Sequence, residues 1–114
     1  MTEEMVVAGT VFRLVLIWQI ETGQVLRKLS GHTGVIFDVI FCFSGGVASV
    51  SDDRTLRFWP NPLKSINSET QDTQPDCCVL SGHTSRIWRV RQMGECYLVT
   101  SSEDTSVRVW CLET

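Results

Sequence analysis

The chain has 114 residues, with 10 Lys and Arg against 13 Asp and Glu, a formal net charge of −3, and 43% hydrophobic residues. This composition suits one globular domain and excludes a disordered or fibrous chain. The acidic balance also excludes a generally basic protein that wraps nucleic acid, because affinity for phosphate comes mainly from clustered Lys and Arg.

The sequence predicts no targeting or membrane segment. No stretch reaches the roughly 18–20 consecutive apolar residues that span a bilayer. The acidic start, Met1-Thr2-Glu3-Glu4, is unlike a signal or transit peptide. We therefore expect a cytoplasmic protein without membrane contact.

Five cysteines, at positions 42, 77, 78, 96 and 111, are odd in number and have no CxxC spacing. In an intracellular protein this pattern favours free thiols over disulfides. A zinc site is the alternative, but neither His32 nor His83 lies beside a cysteine pair, so no metal is expected.

Short apolar runs between turn signals predict an all-β chain of antiparallel strands, and no stretch has a helical period. In chain order the predicted strands are Met5–Thr10, Leu14–Trp18, Gln24–Leu29, Val35–Phe43, Val47–Val50, Leu56–Trp59, Cys77–Leu80, Arg86–Arg91, Tyr97–Thr100 and Val107–Trp110. Gly45-Gly46 between two of them is typical of a hairpin turn.

The chain contains an internal repeat. A shift of 51 residues lays 30–59 over 81–110 without a gap, and 10 of the 30 aligned residues are identical. Both copies begin Ser-Gly-His-Thr and end in Trp. Self-similarity at a fixed spacing is the signature of a repeat architecture.

These copies resemble the WD-repeat β-propeller family, whose repeats open with Gly-His and close with Trp-Asp after three strands. Here Pro60 and Cys111 replace the closing Asp. The resemblance implies a partial β-propeller of four-stranded antiparallel blades. It divides the chain into an incomplete repeat of about three strands at 1–29, a repeat at 30–59, an exposed linker loop at 60–76, and a repeat at 77–114 that lacks its closing strand.

Fewer than three blades are expected, whereas propellers close with about four to eight. We therefore expect the chain to be a fragment or short isoform of a longer protein.

The resemblance also implies a hydrogen-bonded polar set in each full repeat. By position, the sets are His32, Ser49, Asp53 and Trp59, then His83, Thr100, Asp104 and Trp110. Because buried polar groups need partners, each set would hold three strands and a loop in one register. In the incomplete repeat, Phe12 takes the Asp position, so no set is expected there.

A Ser-His-Asp grouping would also suit a hydrolase triad. This grouping, however, occurs twice at the repeat spacing, has a Trp partner, and lacks the glycines of a nucleophile elbow. These features favour a structural role for both sets.

Within the family, 7–12, 16–18 and the residues after each Gly-His resemble a WD-repeat protein that is the non-catalytic partner of a tRNA ribose 2′-O-methyltransferase acting on the wobble nucleotide. The resemblance implies a non-catalytic scaffold with a methyltransferase partner and indirect contact with tRNA, without a cofactor or small-molecule substrate. The sequence shows neither a glycine-rich cofactor turn nor a phosphate loop. The alternative is a general protein-interaction scaffold in signalling or trafficking with no RNA role.

The densest basic and aromatic cluster is a candidate contact for a partner or RNA, and consists of Arg86, Trp88, Arg89 and Arg91. Its arginines suit phosphates and its indole suits a stacked base. The alternative is that Trp88 packs between blades while the arginines pair with nearby acids, namely Asp38, Asp52 or Glu103. The number of these acids favours the alternative.

Overall fold

The structure, a computed structural model, describes residues 5–43, 45–63 and 77–112. These residues form the strands β1 (Met5–Gly9), β2 (Val15–Gln19), β3 (Val25–Leu29), β4 (Ile36–Phe41), β5 (Val47–Ser51), β6 (Thr55–Trp59), β7 (Cys78–Ser81), β8 (Ile87–Met93), β9 (Tyr97–Ser102) and β10 (Val107–Cys111). The predicted all-β class is confirmed. Over the described ranges there is no helix that could cross a membrane.

The strands form three antiparallel sheets, each built from sequence neighbours. The first sheet has the order β1-β2-β3, the second β4-β5-β6-β7 and the third β10-β9-β8. Short turns join β5 to β6, β8 to β9 and β9 to β10. At Gly45, between β4 and β5, φ is 94°, a backbone conformation that suits glycine.

The second sheet lies between the other two and is covered on both faces. Its strand β5 is buried along its whole length. Because successive side chains of a strand point to opposite faces, Val47 packs towards the first sheet and Ala48 towards the third. This explains why β5 is an unbroken run of small and β-branched residues rather than an apolar–polar alternation.

Two apolar clusters join the sheets. The cluster between the first and second sheets contains Val15, Ile17, Leu29, Ile36, Val47 and Trp59. The cluster between the second and third contains Cys42, Ala48, Val50, Leu56, Phe58, Ile87, Val90 and Leu98. The core of the chain therefore lies between the sheets, as in other stacked β-sheet proteins.

The edge strands of the second and third sheets share a local irregularity. The pairing of β4 with β5 shifts between Ile36 and Asp38, and that of β8 with β9 shifts between Ile87 and Arg89. These positions are related by the 51-residue spacing. A β-bulge inserts one extra residue into the alternation of a strand, so the shift explains why Ile87 and Val90, three residues apart, are both buried.

The prediction of an exposed linker at 60–76 is wrong for part of 60–63, the segment of it that the structure describes. Pro62 is buried, and Leu63 packs against the cluster between the first and second sheets. Leu63 packs against a cluster that includes Trp59, which explains why this apolar side chain is partly withdrawn from solvent. The remainder of the predicted loop, 64–76, lies outside the described residues.

Candidate functional site

The first polar set connects β5, the turn after it and the loop before β4. The Nδ1 atom of His32 lies 2.9 Å from the Oδ2 atom of Asp53, and its Nε2 atom lies 2.7 Å from the Oγ atom of Ser49. Trp59 meets the edge of the His32 ring, with the ring centroids 6.2 Å apart. The structure thus brings the four residues together.

The second set repeats this geometry. The Nδ1 atom of His83 lies 2.9 Å from Asp104 Oδ2, and its Nε2 atom lies 2.7 Å from Thr100 Oγ1. The indole N–H of Trp110 donates to Thr100 Oγ1 over 2.8 Å. A ring with its hydrogen on Nδ1 gives every group a partner: Nδ1–H donates to the carboxylate and the hydroxyl donates to Nε2.

Sequence reasoning missed further partners of the two carboxylates. The hydroxyl and backbone N–H of Thr55 both donate to Asp53 Oδ1, over 2.6 and 2.9 Å. Ser106 makes the same pair of bonds to Asp104, over 2.5 and 2.9 Å. The signal was available in the sequence, because a hydroxyl residue follows each Asp by two positions, a spacing typical of Asx turns.

The residue after each Asp has an unusual backbone that the sequence did not reveal. Arg54 and Thr105 have φ values of 74° and 72°, and Arg13 in the matching turn of the first sheet has 71°. Positive φ is uncommon outside glycine. In the first sheet the Asp is replaced by Phe12, and Thr10 supports the turn instead, accepting from Leu14 N–H over 3.3 Å.

The hydrogen bonds in each set lower the pKa of its carboxyl group. Burial would raise the pKa of Asp53, but the hydrogen bonds from His32, Thr55 and Thr33 outweigh burial and hold it below the ordinary value of 3.8. The Ser106 hydroxyl contributes most to lowering the pKa of Asp104, against burial and together with Thr84 and His83. Both groups are carboxylates at neutral pH.

We expect the protein to lose stability in acid because of these two groups. Since their pKa values in the folded protein are below the unfolded value, the unfolded chain binds protons first as the pH falls. Their contribution is complete above about pH 5 and is lost progressively as the pH falls from there through the lower pKa values of the folded protein. Urea unfolding measured across this range should show a steep fall in stability.

The matched variant for this prediction is Asp53→Asn with Asp104→Asn, which removes both titrations. Its stability should be lower at neutral pH and should fall less steeply in acid. Parallel pH profiles for this variant and the original chain would contradict the prediction.

The two sets are not placed for hydrolysis. The three side chains of the triad-like grouping are buried, with Ser49 0% and His32 5% exposed, so a substrate could not reach the hydroxyl. In the second set Thr100 replaces the serine, and it is buried in the same way. The arrangement instead links β5 to the loop that precedes β4, and β9 to the loop that precedes β8.

The basic cluster is largely paired with acids. The guanidinium of Arg86 lies 3.1 Å from Asp52 and stacks over the Trp88 ring at 5.6 Å. Arg91 lies 2.7 Å from Asp38, and the indole N–H of Trp88 donates to Glu103 over 2.9 Å. Of the three acids named in the alternative interpretation, Asp52 and Asp38 are therefore partners of arginines, and Glu103 is the partner of the Trp88 indole.

Trp88 also packs against the second sheet. Its ring lies 4.7 Å from that of Phe37, which holds the matching position one repeat earlier. Arg89 is exposed, and no hydrogen bond or ion pair of its side chain is seen within 5–43, 45–63 and 77–112. The structure therefore places three members of the cluster at the junction of two sheets and leaves one at the surface.

The five cysteines are free thiols. Burial raises the pKa of the Cys42 thiol to about 11, so it stays protonated. Among the described residues, no three His, Cys, Asp or Glu side chains are grouped as metal ligands.

The family model for the WD domain, G-beta repeat (WD40), matches residues 23–60 and 75–111. The chain belongs to the WD-repeat family. The sheets of this WD-repeat chain correspond to propeller blades, and the polar sets lie within the matched segments. The computationally designed Ika8 protein has a similar structure, with a TM-score of 0.76 and 26% identity over 98% of this chain and 31% of that chain.

Two curated relatives differ in what their names state. The tRNA (34-2'-O)-methyltransferase regulator WDR6 of Homo sapiens is 32% identical over 117 residues, which cover 95% of this chain and 10% of that protein. The ribosome biogenesis protein YTM1 of Eremothecium gossypii is 29% identical over 94% of this chain and 24% of its own length. The WD-repeat chain thus spans about a tenth of the length of WDR6.

Proposed function

We propose that this WD-repeat chain is part of a non-catalytic scaffold that supports 2′-O-ribose methylation of the tRNA wobble nucleotide by a partner methyltransferase. The observation that carries the proposal is the similarity to the tRNA (34-2'-O)-methyltransferase regulator WDR6, which extends over 95% of the chain.

The described geometry supports a binding role. The hydroxyl and imidazole groups that would be the nucleophile and base of an enzyme are buried and hydrogen-bonded to each other. Around Trp88, by contrast, the surface carries an ion pair and a contact between two aromatic rings. Groups of this type suit a protein interface, where aromatic and Arg side chains contribute much of the affinity.

Charge favours indirect contact with tRNA. The exposed arginines, Arg86, Arg89 and Arg91, lie among an equal number of acids, and two of the three are paired with them. Phosphate binding would require breaking these pairs, whereas binding to RNA usually relies on an excess of positive charge. The methyltransferase would then supply the main contact with tRNA. The cytoplasmic location stays a prediction.

A general WD-repeat scaffold is the second candidate, and the similarity to the ribosome biogenesis protein YTM1 favours it. WD-repeat folds serve many unrelated functions, so the fold alone does not separate the two candidates. The decisive difference lies in which partner the surface binds.

The experiment that separates them measures ribose methylation at tRNA nucleotide 34 in cells from which the full-length protein has been removed. We expect methylation to fall and to return when the protein is supplied again. The purified protein with a methyl donor should transfer no methyl group by itself. Unchanged methylation in the depleted cells would overturn the proposal in favour of the general scaffold.

Replacing Arg86, Arg89 and Arg91 together by alanine in the full-length protein should weaken partner binding with little effect on folding. Exposed ion pairs contribute about 0–1 kcal/mol each to stability, whereas loss of an Arg contact at an interface commonly costs more than about 1 kcal/mol of binding. We expect affinity for the methyltransferase to fall roughly tenfold. Titration of the two purified proteins measures this change.

The control for this variant is Arg13→Ala, which removes an exposed arginine from the turn between β1 and β2. It should bind the methyltransferase as the original protein does. Equal affinity of the triple variant and this control would show that the cluster is not part of the interface.

A further inference from the structure

Arg86 is held in one position by groups from two sheets. Its Nε atom lies 3.1 Å from the Oδ1 atom of Asp52, in the turn between β5 and β6, and its guanidinium lies over the Trp88 ring at 5.6 Å. Its backbone carbonyl accepts hydrogen bonds from the Glu103 backbone N–H over 2.9 Å and from the Ser102 hydroxyl over 2.8 Å. The guanidinium and the backbone that carries it are therefore both fixed before a partner binds.

The ring beneath Arg86 is itself anchored. The Trp88 indole N–H donates to Glu103 over 2.9 Å, and the Trp88 ring lies 4.7 Å from that of Phe37 in β4. All of these groups belong to the second and third sheets, and both sheets are described. The position of Arg86 therefore does not depend on groups outside these two sheets.

The hydrogen-bonding capacity of Arg86 is only partly used. Its ion pair with Asp52 is formed through Nε, and among the described residues neither terminal nitrogen, Nη1 or Nη2, has a hydrogen-bond acceptor. A guanidinium carries five N–H donors in a planar fork, and two parallel bonds from such a fork match the two oxygens of a carboxylate. The Arg86 side chain is 48% exposed, so a partner can reach it.

The fold does not require an arginine at this position. The counterpart of Arg86 51 residues earlier is Val35, whose carbonyl accepts from the Asp52 N–H over 2.9 Å, just as that of Arg86 accepts from Glu103. The same backbone arrangement therefore forms with an apolar, β-branched residue. Only one of the two repeats carries the guanidinium, which indicates a role other than folding.

We propose that the Nη1 and Nη2 atoms of Arg86 bind one carboxylate of the methyltransferase, an Asp or Glu side chain, and that Asp52 is a positioning residue for this contact. An apolar group beside that carboxylate would cover the open part of the Trp88 ring, which is 38% exposed. Because the guanidinium is already fixed, it loses little conformational entropy on binding. The inference rests on the proposed function, which supplies the methyltransferase as the partner.

Charge favours a single carboxylate over the phosphates of RNA. Asp52 and Glu103 lie in the same cluster as Arg86. An RNA backbone would bring many negative charges past these acids, and its binding relies on an excess of positive charge. One carboxylate brings a single charge and occupies both free nitrogens. Contact with tRNA phosphate is the alternative for the experiment to exclude.

The test measures the affinity of the full-length protein for the methyltransferase, without RNA, after Arg86→Val, which installs the residue found at the matching position. We expect about a tenfold loss, so this change alone should reproduce most of the effect of the triple variant. Arg86→Lys keeps the charge but not the fork and should lose about fivefold. Arg89→Ala, which changes a side chain that is ordered only on binding, should lose about twofold. Arg13→Ala remains the control.

Asp52→Ala tests the positioning role. It should lower affinity about threefold in the original protein and cause no further loss when Arg86→Val is already present, because Asp52 acts only through the guanidinium. Equal losses in the two backgrounds would show that Asp52 does not position Arg86.

Carbodiimide coupling then identifies the bound group. In the saturated complex, the amine introduced by Arg86→Lys should form an amide with an Asp or Glu of the methyltransferase, which mass spectrometry locates. Replacing that acid by Arg should lower affinity about tenfold, and combining the change with Arg86→Glu should restore it, because the charges are then exchanged.

Three results would overturn the inference and leave the proposed function standing. They are unchanged methyltransferase affinity with Arg86→Val, loss of tRNA binding alone, and absence of an amide link to the methyltransferase. Absence of binding between the two original proteins would contradict the proposed function itself, and the inference with it.

Discussion

Replacing Asp53 by alanine should lower the free energy of unfolding by about 3 kcal/mol, because it removes one acceptor from several buried or partly buried donors. His32, Thr33 and Thr55 all donate to this carboxylate, over distances between 2.6 and 2.9 Å. Without it, the Nδ1–H of the buried His32 ring has lost its carboxylate partner. The loop before β4 is then no longer held against the turn between β5 and β6.

The adjacent residue is the matched control. Asp52 is exposed and forms an ion pair with Arg86 at the surface, so Asp52→Ala should lower the free energy of unfolding by at most about 1 kcal/mol. Asp53→Asn keeps one acceptor oxygen, so its loss of unfolding free energy should lie between those of the two alanine variants. Urea unfolding of dilute protein, followed by tryptophan fluorescence, measures all three. Equal losses for Asp52→Ala and Asp53→Ala would show that the polar set does not stabilise the second sheet.

Replacing Trp59 by alanine should cost about 3–5 kcal/mol, the range found for buried Trp in well-packed cores. Its side chain is 1% exposed and fills the space between the first and second sheets, beside Ile17 and Val47. Alanine would leave a cavity there and would also remove the ring contact with His32. The variant should therefore separate the first sheet from the second as well as weaken the polar set.

Trp110 and Trp88 provide a graded comparison for this effect. Trp110 holds the same repeat position but is only half-buried, so Trp110→Ala should cost less even though its indole donates to Thr100. Trp88→Ala, at a more exposed site, should cost least. If Trp59→Ala does not fold, Trp59→Phe provides the measurement with a smaller cavity. If Trp59→Ala lowered the free energy of unfolding no more than Trp88→Ala does, the placement of Trp59 in the core would be contradicted.

The strands and the two polar sets could be predicted because their signals are local or periodic. Short β-branched runs between turn residues indicate strands without knowledge of their neighbours. The 51-residue spacing places each His, Asp and Trp in matched positions, and their separation is short enough that one sheet brings them together. Thr55 and Ser106 carried a similar signal, two residues after each Asp, and could have been included.

Packing between sheets determined the rest, because it depends on which residues meet across a gap that no sequence spacing records. The sequence named Asp38, Asp52 and Glu103 as possible partners of the arginines, but only the packing of adjacent sheets shows that Arg91 meets Asp38 and that Arg86 lies on Trp88 beside Asp52. Pro62 and Leu63 look like parts of a polar loop, yet Pro62 is buried and Leu63 packs against the neighbouring core.

The difference between Leu56 and Val107 is likewise tertiary. The two residues occupy the same repeat position in similar strands, yet one is fully buried and the other 66% exposed. The sequence by itself determined that both lie in strands and on the same side of their sheets, since alternation and register follow from local backbone geometry. Only the tertiary structure decided which of them has a sheet against it, because burial requires a second surface within van der Waals contact.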